Sequence, residues 1–146
     1  MDKVFGVETA EESPGFLLWQ VTTLWQRGIK KALEAVDITH PQFVLLASLM
    51  WLSQQQETVT QVALSQHSKI DPMTTSTVLR TLQTKGLVGR SEHHTDTRAK
   101  AVVLTAAGIK TTKQAVKIIE HFDTEFFSTL GSKTPTFNKL LLTLLG

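Results

Sequence analysis

The chain has 146 residues, of which 41% are hydrophobic and 19% charged, and its formal net charge is +2 at pH 7. This composition is ordinary for one globular domain with a full apolar core, and the lack of cysteine excludes disulfides, thiolate metal sites and cysteine nucleophiles. No apolar run approaches a membrane span of about eighteen residues, and the acidic start of the chain lacks the features of a signal peptide. We therefore expect a cytoplasmic protein that does not enter a membrane.

Two amphipathic helices are predicted in the first third of the chain. Residues 15–36 carry apolar side chains at spacings of three and four, which is the period of a helix with one buried face. A second helix is predicted from Thr39 to Ser53, because Thr39 and Gln42 form a capping-box pattern and Pro41 suits the first turn. The residues of the first apolar stripe are Leu18, Val21, Trp25, Ile29, Ala32 and Val36.

The middle of the chain predicts a helix-turn-helix. Two short helical patterns, 60–67 and 72–85, are separated by a break. Asp71 is a favourable N-cap and Gly86 suits the left-handed position that ends many helices. Residues 57–104 contain six Lys and Arg against four Asp and Glu. This excess is too small to identify a nucleic-acid binder, so the prediction depends on the pattern.

A strand pair and two further helices follow. Residues 87–92 and 98–104, joined by a polar turn, predict a β-hairpin. Thr105 is the predicted cap of a long helix ending at Gly131, and Thr134 the cap of a last helix with Pro135 in its first turn. The long helix is expected to direct these residues toward the core: Ile109, Val116, Ile119, Phe122, Phe126 and Leu130.

The order of these elements gives a mainly α fold with a small β-hairpin (α+β), in one domain spanning 1–146. A winged helix-turn-helix lobe is predicted over 57–104, and helical regions over 15–53 and 105–146. Residues 135–145 contain Phe137 and five leucines, which is more apolar surface than one small lobe can cover. The two chain ends are therefore expected to build a dimer.

The second helix of a helix-turn-helix is called the recognition helix. In DNA-binding proteins it lies in the major groove, and its first half reaches the base edges. A wing that follows it can place an arginine in the minor groove. Asp96 would then orient Arg98, although an Asp-x-Arg pattern can equally be a surface ion pair. The expected DNA-binding residues are Thr60, Gln61, Thr74, Ser76, Thr77, Arg80, Arg90, Asp96, Arg98 and Lys100.

The ordered motifs of this stretch resemble the MarR-type regulators. They are Thr60-Gln61-Val62-Ala63-Leu64-Ser65, Ile70-Asp71-Pro72, Ser76, Val78, Arg80-x-Leu82, Lys85-Gly86-Leu87-Val88, Arg90, Asp96-x-Arg98 and Val103-Leu104-Thr105-x-x-Gly108. The resemblance implies a homodimer joined by its first, fifth and sixth helices, which binds a pseudo-palindromic operator. It implies a sequence-specific transcriptional regulator, expected to be a repressor that a small ligand releases.

The same resemblance implies a pocket for small aromatic or phenolic acids between the dimerisation helices and the DNA-binding lobe. Aromatic side chains at helical spacing can equally pack as core. The residues expected to line the pocket are Trp19, Trp25, Phe43, Met50 and Trp51. The chain departs from the family pattern in the turn, at Ser68 and Lys69, and in the wing, at His93 and His94.

Three other classes of function are a metal-binding protein, an enzyme and a protein-binding module. The five histidines, His40, His67, His93, His94 and His121, show neither an HxxxH nor an HExxH spacing, so no metal site or other cofactor is expected. An enzyme would need a nucleophile with a base, or paired carboxylates in a pocket, and the sequence offers neither. A winged-helix module that binds only proteins is the alternative, although its contact face should expose apolar anchors.

Replacing the wing arginine, Arg98→Ala, should weaken binding to operator and non-specific DNA together. The loss of one phosphate neutralisation should flatten the salt dependence of affinity by about one counterion. Asp96→Ala should act in the same direction and more weakly. Binding measured over a salt series checks this, and equal slopes for both proteins would place the wing away from the DNA backbone.

Overall fold

The computed structural model of the chain describes residues 2–92 and 100–146. This part contains six α-helices, three short strands, and 3₁₀ turns at Ala10–Glu12, Glu34–Val36 and Ser128–Lys133. The helices and strands are α1 (Pro14–Leu33), α2 (His40–Ser53), β1 (Val59–Thr60), α3 (Gln61–Ser68), α4 (Pro72–Thr84), β2 (Val88–Glu92), β3 (Lys100–Leu104), α5 (Ala106–Phe126) and α6 (Thr134–Leu145).

Side-chain caps determine where five of these helices begin. The predicted capping box is present at α2, where Thr39 and Gln42 each bond the other's backbone N–H. Thr60 caps α3 by accepting from the N–H of Ala63, at 3.1 Å. Ser13, Asp71 and Thr105 accept equivalent bonds at the starts of α1, α4 and α5. Such caps satisfy N–H groups that have no partner within the helix.

The hydrophobic core surrounds α2. Three leucines of this helix are fully buried. They belong to one cluster with buried residues of α1, α3, α4, α5 and the three strands. Because α2 is apolar on most sides, it separates α1 and α5 from the helix-turn-helix that α3 and α4 form. The fully or almost fully buried core residues include Ile29, Leu33, Leu45, Leu46, Leu49, Leu64, Leu79, Leu82, Val102 and Ala115.

The three strands form one antiparallel sheet in the order β1-β3-β2. The predicted hairpin is confirmed, with Val88 opposite Leu104 and Glu92 opposite Lys100. The two-residue strand β1 was not predicted, and it pairs Val59 with Val102. A strand this short has no sequence period, which explains why it was missed. The predicted polar turn, 93–97, lies outside the described residues.

Two of the turn residues with positive φ lie on either side of α4. Gly86 has φ 77°, as predicted for the end of the recognition helix α4. Lys69, in the turn between α3 and α4, has φ 65°, a left-handed conformation that costs a residue with a Cβ more than it costs glycine. Lys69, one of the two turn positions at which the chain departs from the MarR-type pattern, thus has a backbone conformation that favours glycine.

The predicted junction between the last two helices was wrong. Helix α5 ends at Phe126, and Gly131 lies within a 3₁₀ turn with φ 54°. Thr134 is the first residue of α6, and its hydroxyl donates to the carbonyl of Gly131 instead of capping the helix. The earlier end of α5 lets Phe127 pack against Phe137, with ring centroids 5.9 Å apart.

Two of the predicted buried faces also need correction. In α1 only the C-terminal half reaches the core, whereas Leu18 and Val21 are 53% and 43% exposed. In α5 the inward residues are Gly108, Thr112, Ala115 and Ile119, while Ile109 is exposed. Most of the buried residues of α5 are small, and small side chains allow the backbone of α5 to lie close to the neighbouring elements. The mainly α fold with a small antiparallel sheet is confirmed.

Within the described ranges, no single helix has both the length and the apolar character needed to cross a membrane.

Gly108→Ala should destabilise the fold by about 2 kcal/mol or more, because overpacking of a closed contact costs this much. A Cβ at Gly108 would overlap the backbone carbonyl of Leu87, and backbone cannot move aside as a side-chain end can. Gly15→Ala is the matched control, since its Cβ would meet nothing within 4 Å. Thermal unfolding of both variants checks this, and an unchanged midpoint for Gly108→Ala would contradict the packing described.

Candidate nucleic-acid interface

The recognition helix α4 has one buried face and one exposed face. Thr75, Leu79 and Leu82 are buried. The opposite face exposes side chains that can form hydrogen bonds, while Ser76 is half-buried at its edge. The residues of this exposed face are Thr74, Thr77, Arg80, Thr81 and Thr84.

Two buried hydroxyls determine the angle between α3 and α4. Ser65 of α3 donates to the carbonyl of Ile70 at 2.7 Å, and Thr75 of α4 donates to the same carbonyl at 3.3 Å. A carbonyl oxygen has two lone pairs and can accept both bonds. The turn residue Ser68 supports this arrangement by accepting from the N–H of Ile70 at 3.2 Å.

Asp71 organises the first turn of α4. Its carboxylate accepts from the backbone N–H of Thr74 at 2.8 Å and from the Thr74 hydroxyl at 2.7 Å. These two bonds, the backbone one first, lower the pKa of Asp71 below its usual value. The carboxylate is therefore charged at neutral pH and stabilises the positive end of the helix dipole.

Arg90 joins the wing to both helices of the helix-turn-helix. Its Nη1 donates to Gln61 Oε1 of α3 at 3.0 Å, and its Nε donates to Gln83 Oε1 of α4 at 3.2 Å. Arg90 and Gln61, two of the predicted DNA-binding residues, thus contact each other. Because both glutamine oxygens accept from the arginine, their amide N–H₂ groups are directed elsewhere.

Two further predicted DNA-binding residues, Thr60 and Lys100, lie in the sheet. Thr60 pairs with Ala101 in the sheet while capping α3, so its hydroxyl already accepts an internal bond. Lys100 is exposed at the start of β3. Asp96 and Arg98 lie outside the described residues, so their predicted role in the wing stays a prediction.

Lys85 connects the end of the recognition helix to the junction of α1 and α2. Its ammonium donates to the carbonyl of Asp37 at 2.7 Å and to Gln42 Oε1 at 3.2 Å. Asp37 has a left-handed backbone, with φ 53°, which turns the chain from α1 into α2. The position of α4 is therefore coupled to the helices outside the lobe.

The residues expected to line a ligand pocket lie in different surroundings. Trp19 is 69% exposed and lines an open cavity of about 360 Å³ on α1, while Trp51 of α2 is 57% exposed. Phe43 packs against the core, and Met50 is half-buried. The pocket assignment stays a prediction.

The fifth of these residues, Trp25, joins a polar contact between three helices. Its indole N–H donates to Asp123 of α5 at 2.8 Å, and its ring meets that of His40 of α2 edge-on, with centroids 5.1 Å apart. Burial lowers the pKa of His40, and the Asp123 carboxylate partly offsets this shift. His40 is therefore predominantly neutral at pH 7.

Sequence reasoning did not assign Gln83 and Lys85 to any contact. Gln83 lies three residues after Arg80, so helical spacing could have placed it near the same exposed face. The partner of Lys85 lies 48 residues away along the chain, and no local pattern could have identified it.

Comparison with known proteins places this arrangement in a family. An ArnR1-like winged-helix domain matches residues 34–121. The chain is 44% identical to the uncharacterized HTH-type transcriptional regulator YdcH of Bacillus subtilis, over 83% of this chain and 82% of that protein. It is 28% identical to an HTH-type transcriptional repressor of Mycobacterium bovis, over 94% of this chain and 96% of the repressor.

The fold also matches that of a protein whose structure was solved in complex with DNA. A mutant MarR from E. coli, crystallised with operator DNA, superimposes with a TM-score of 0.78 and 25% sequence identity, covering 90% of this chain and 91% of that one. These matched proteins are transcriptional regulators and not enzymes, in agreement with the sequence analysis. The chain belongs to the MarR family of winged helix-turn-helix transcriptional regulators.

Proposed function

We propose that this regulator is a sequence-specific repressor that binds a pseudo-palindromic operator as a homodimer and is released by a small ligand. The observation that carries the proposal is the exposed face of α4, where Thr74, Thr77 and Arg80 lie opposite a fully buried face. The repressor role is supported by the relative from Mycobacterium bovis, which is an HTH-type transcriptional repressor. A protein of this kind acts on chromosomal DNA, which places it in the cytoplasm.

The homodimer is supported by apolar surface at both chain ends. In α6, four leucines are more than 60% exposed, and the helix has no buried residue. The first half of α1 exposes Phe16, Leu18 and Trp19 as well. Apolar patches of this extent are typical of subunit interfaces. Two-fold symmetry would place two copies of α4 about one DNA turn apart, roughly 34 to 36 Å.

The ligand is supported by a cavity next to the Lys85 contact. This cavity has a volume of about 470 Å³ and is lined by residues of α1, the α1–α2 junction and Lys85. Lys30, Lys85 and His40 are among its lining residues, together with Glu34 and Asp37. A small aromatic acid would find both a cationic partner and a ring here. The aromatic residues expected from the sequence, Trp25 among them, remain proposed neighbours of such a ligand.

The rival proposal, a winged-helix module that binds only proteins, requires apolar anchors on the exposed face of α4. Met73, at its first turn, is 80% exposed and would suit that role. The rest of the face carries hydroxyls and one guanidinium, which are better suited to phosphates and base edges.

The decisive test is a gel shift with the DNA upstream of the regulator's own gene at several salt concentrations. Binding that weakens with salt supports the repressor, and the absence of binding supports the rival.

Arg80→Ala and Thr77→Ala should each weaken operator binding without unfolding the protein, because both side chains are exposed on α4. A lost base contact costs roughly 1 to 3 kcal/mol. Affinities for operator and random DNA, with circular dichroism as the control for folding, check this. Unchanged operator affinity in both variants would remove α4 from the role proposed.

Removing α6, with the chain ended after Ser132, should abolish both the dimer and operator binding, because the two recognition helices would lose their fixed separation. The double variant Leu142→Ser, Leu144→Ser should act in the same direction without shortening the chain. Val62→Ser is the matched control, since Val62 is also 60% exposed but lies in α3. Sedimentation measures assembly, and a dimer that persists after both changes would contradict this interface.

A further inference from the structure

The exposed threonines of α4 share one feature: their hydroxyl hydrogens are directed back toward the protein. Thr77 donates to the carbonyl of Met73 at 3.1 Å, and Thr81 donates to that of Thr77 at 3.3 Å. Thr84 donates to the carbonyl of Arg80 at 3.1 Å. Threonines in helices commonly bond the carbonyl four residues earlier in this way.

Thr74 shows the same orientation with a different acceptor. Its hydroxyl donates to Asp71 Oδ2 at 2.7 Å, which is a short bond to a charged group. Bonds with an ionised partner are roughly twice as strong as neutral ones. This hydroxyl is therefore firmly held, and the first turn of α4 presents its oxygen and methyl group outward.

These bonds determine what the threonines can offer a ligand. A hydroxyl has one hydrogen to donate and two lone pairs that accept. Since the hydrogen is used within the helix, the outward side of each threonine presents an acceptor oxygen and a methyl group. Arg80, on the same face, offers only donors. The face thus combines acceptors and methyls from threonine with donors from arginine.

In the major groove, this combination has defined complements. Adenine N6 and cytosine N4 are the base-edge donors, thymine carries a methyl group, and guanine offers two acceptors. Thr77 lies in the first half of α4, the part of a recognition helix that reaches bases. Thr84 is the last residue of α4. It forms the same kind of internal hydrogen bond as Thr77, but it lies outside the half of the helix that contacts bases.

We propose that Thr77 reads an amino group, adenine N6 or cytosine N4, as an acceptor and not as a donor, with Arg80 supplying the donors of this face. The proposal rests on the proposed function, since it names the base chemistry that α4 recognises. The proposal excludes a hydrogen bond from the Thr77 hydroxyl to N7 of adenine or guanine. N7 is an acceptor, and the hydroxyl hydrogen of Thr77 is already donated to the backbone carbonyl of Met73.

The test begins with an operator half-site selected in vitro by the wild-type protein. Each adenine is replaced by purine, which lacks the N6 amino group, or by 7-deazaadenine, which lacks the N7 acceptor. Each cytosine is replaced by the analogue that lacks N4. The same set of DNAs is measured with Thr77→Val, which retains the shape and one methyl group, and with Thr84→Val as the matched control.

We expect one position at which loss of the amino group weakens wild-type binding roughly three- to tenfold, the range of one hydrogen bond. Thr77→Val should lose affinity for the parent half-site and be insensitive at that position, whereas Thr84→Val should behave as the wild type. Sensitivity to 7-deazaadenine that disappears in Thr77→Val would overturn the proposal, and so would identical profiles for Thr77→Val and wild type. Failure of the wild type to select any DNA would instead refute the proposed function.

Discussion

The carbonyl oxygen of Ile70 is the point on which the DNA-binding lobe depends. Hydroxyls from two helices, Ser65 and Thr75, bond this one oxygen from opposite sides of the turn. A buried carbonyl without partners would cost about 1 to 3 kcal/mol, so the bonds favour one crossing angle over others. Because Thr75 is fully buried, the direction of the exposed face of α4 follows from it. The left-handed backbone of Lys69 is tolerated because it brings that carbonyl into place.

Two cations extend this arrangement beyond the turn. Arg90 bonds glutamines of α3 and α4, so the first wing strand is held to both helices. Lys85 bonds the α1–α2 junction, so the end of α4 is held to helices outside the lobe. Among the described residues, both side chains donate to neutral oxygens, and salt does not screen such bonds as it screens an ion pair. The lobe can therefore keep its internal geometry under the salt conditions that weaken contacts to DNA.

The sequence predicted those features that depend on neighbouring residues. The caps at Thr39, Asp71 and Thr105, and the positive φ of Gly86, were confirmed because each is a local backbone requirement. The ordered motifs from Thr60 to Gly108 also identified the family. Contacts between distant residues, such as Lys85 with Asp37, depend on packing and leave no local pattern. The buried face of α5 was predicted in part: Ile119 and Phe122 lie at the core, whereas Ile109 fits the helical period and is exposed. The buried glycine and alanine of α5 were missed because they carry no large apolar side chain.

The start of α6 differs from the other helix starts. The five preceding helices each begin with a side-chain cap, whereas α6 has none, and none of its residues is buried. A helix of 12 residues with so little packing is marginal in water, since nucleation is costly and the last turns fray. In a lone chain this helix should open at a far lower free energy than the core around α2. In the proposed homodimer, the folding of α6 becomes part of assembly, so that the concentration of the regulator would govern how much of this helix is ordered.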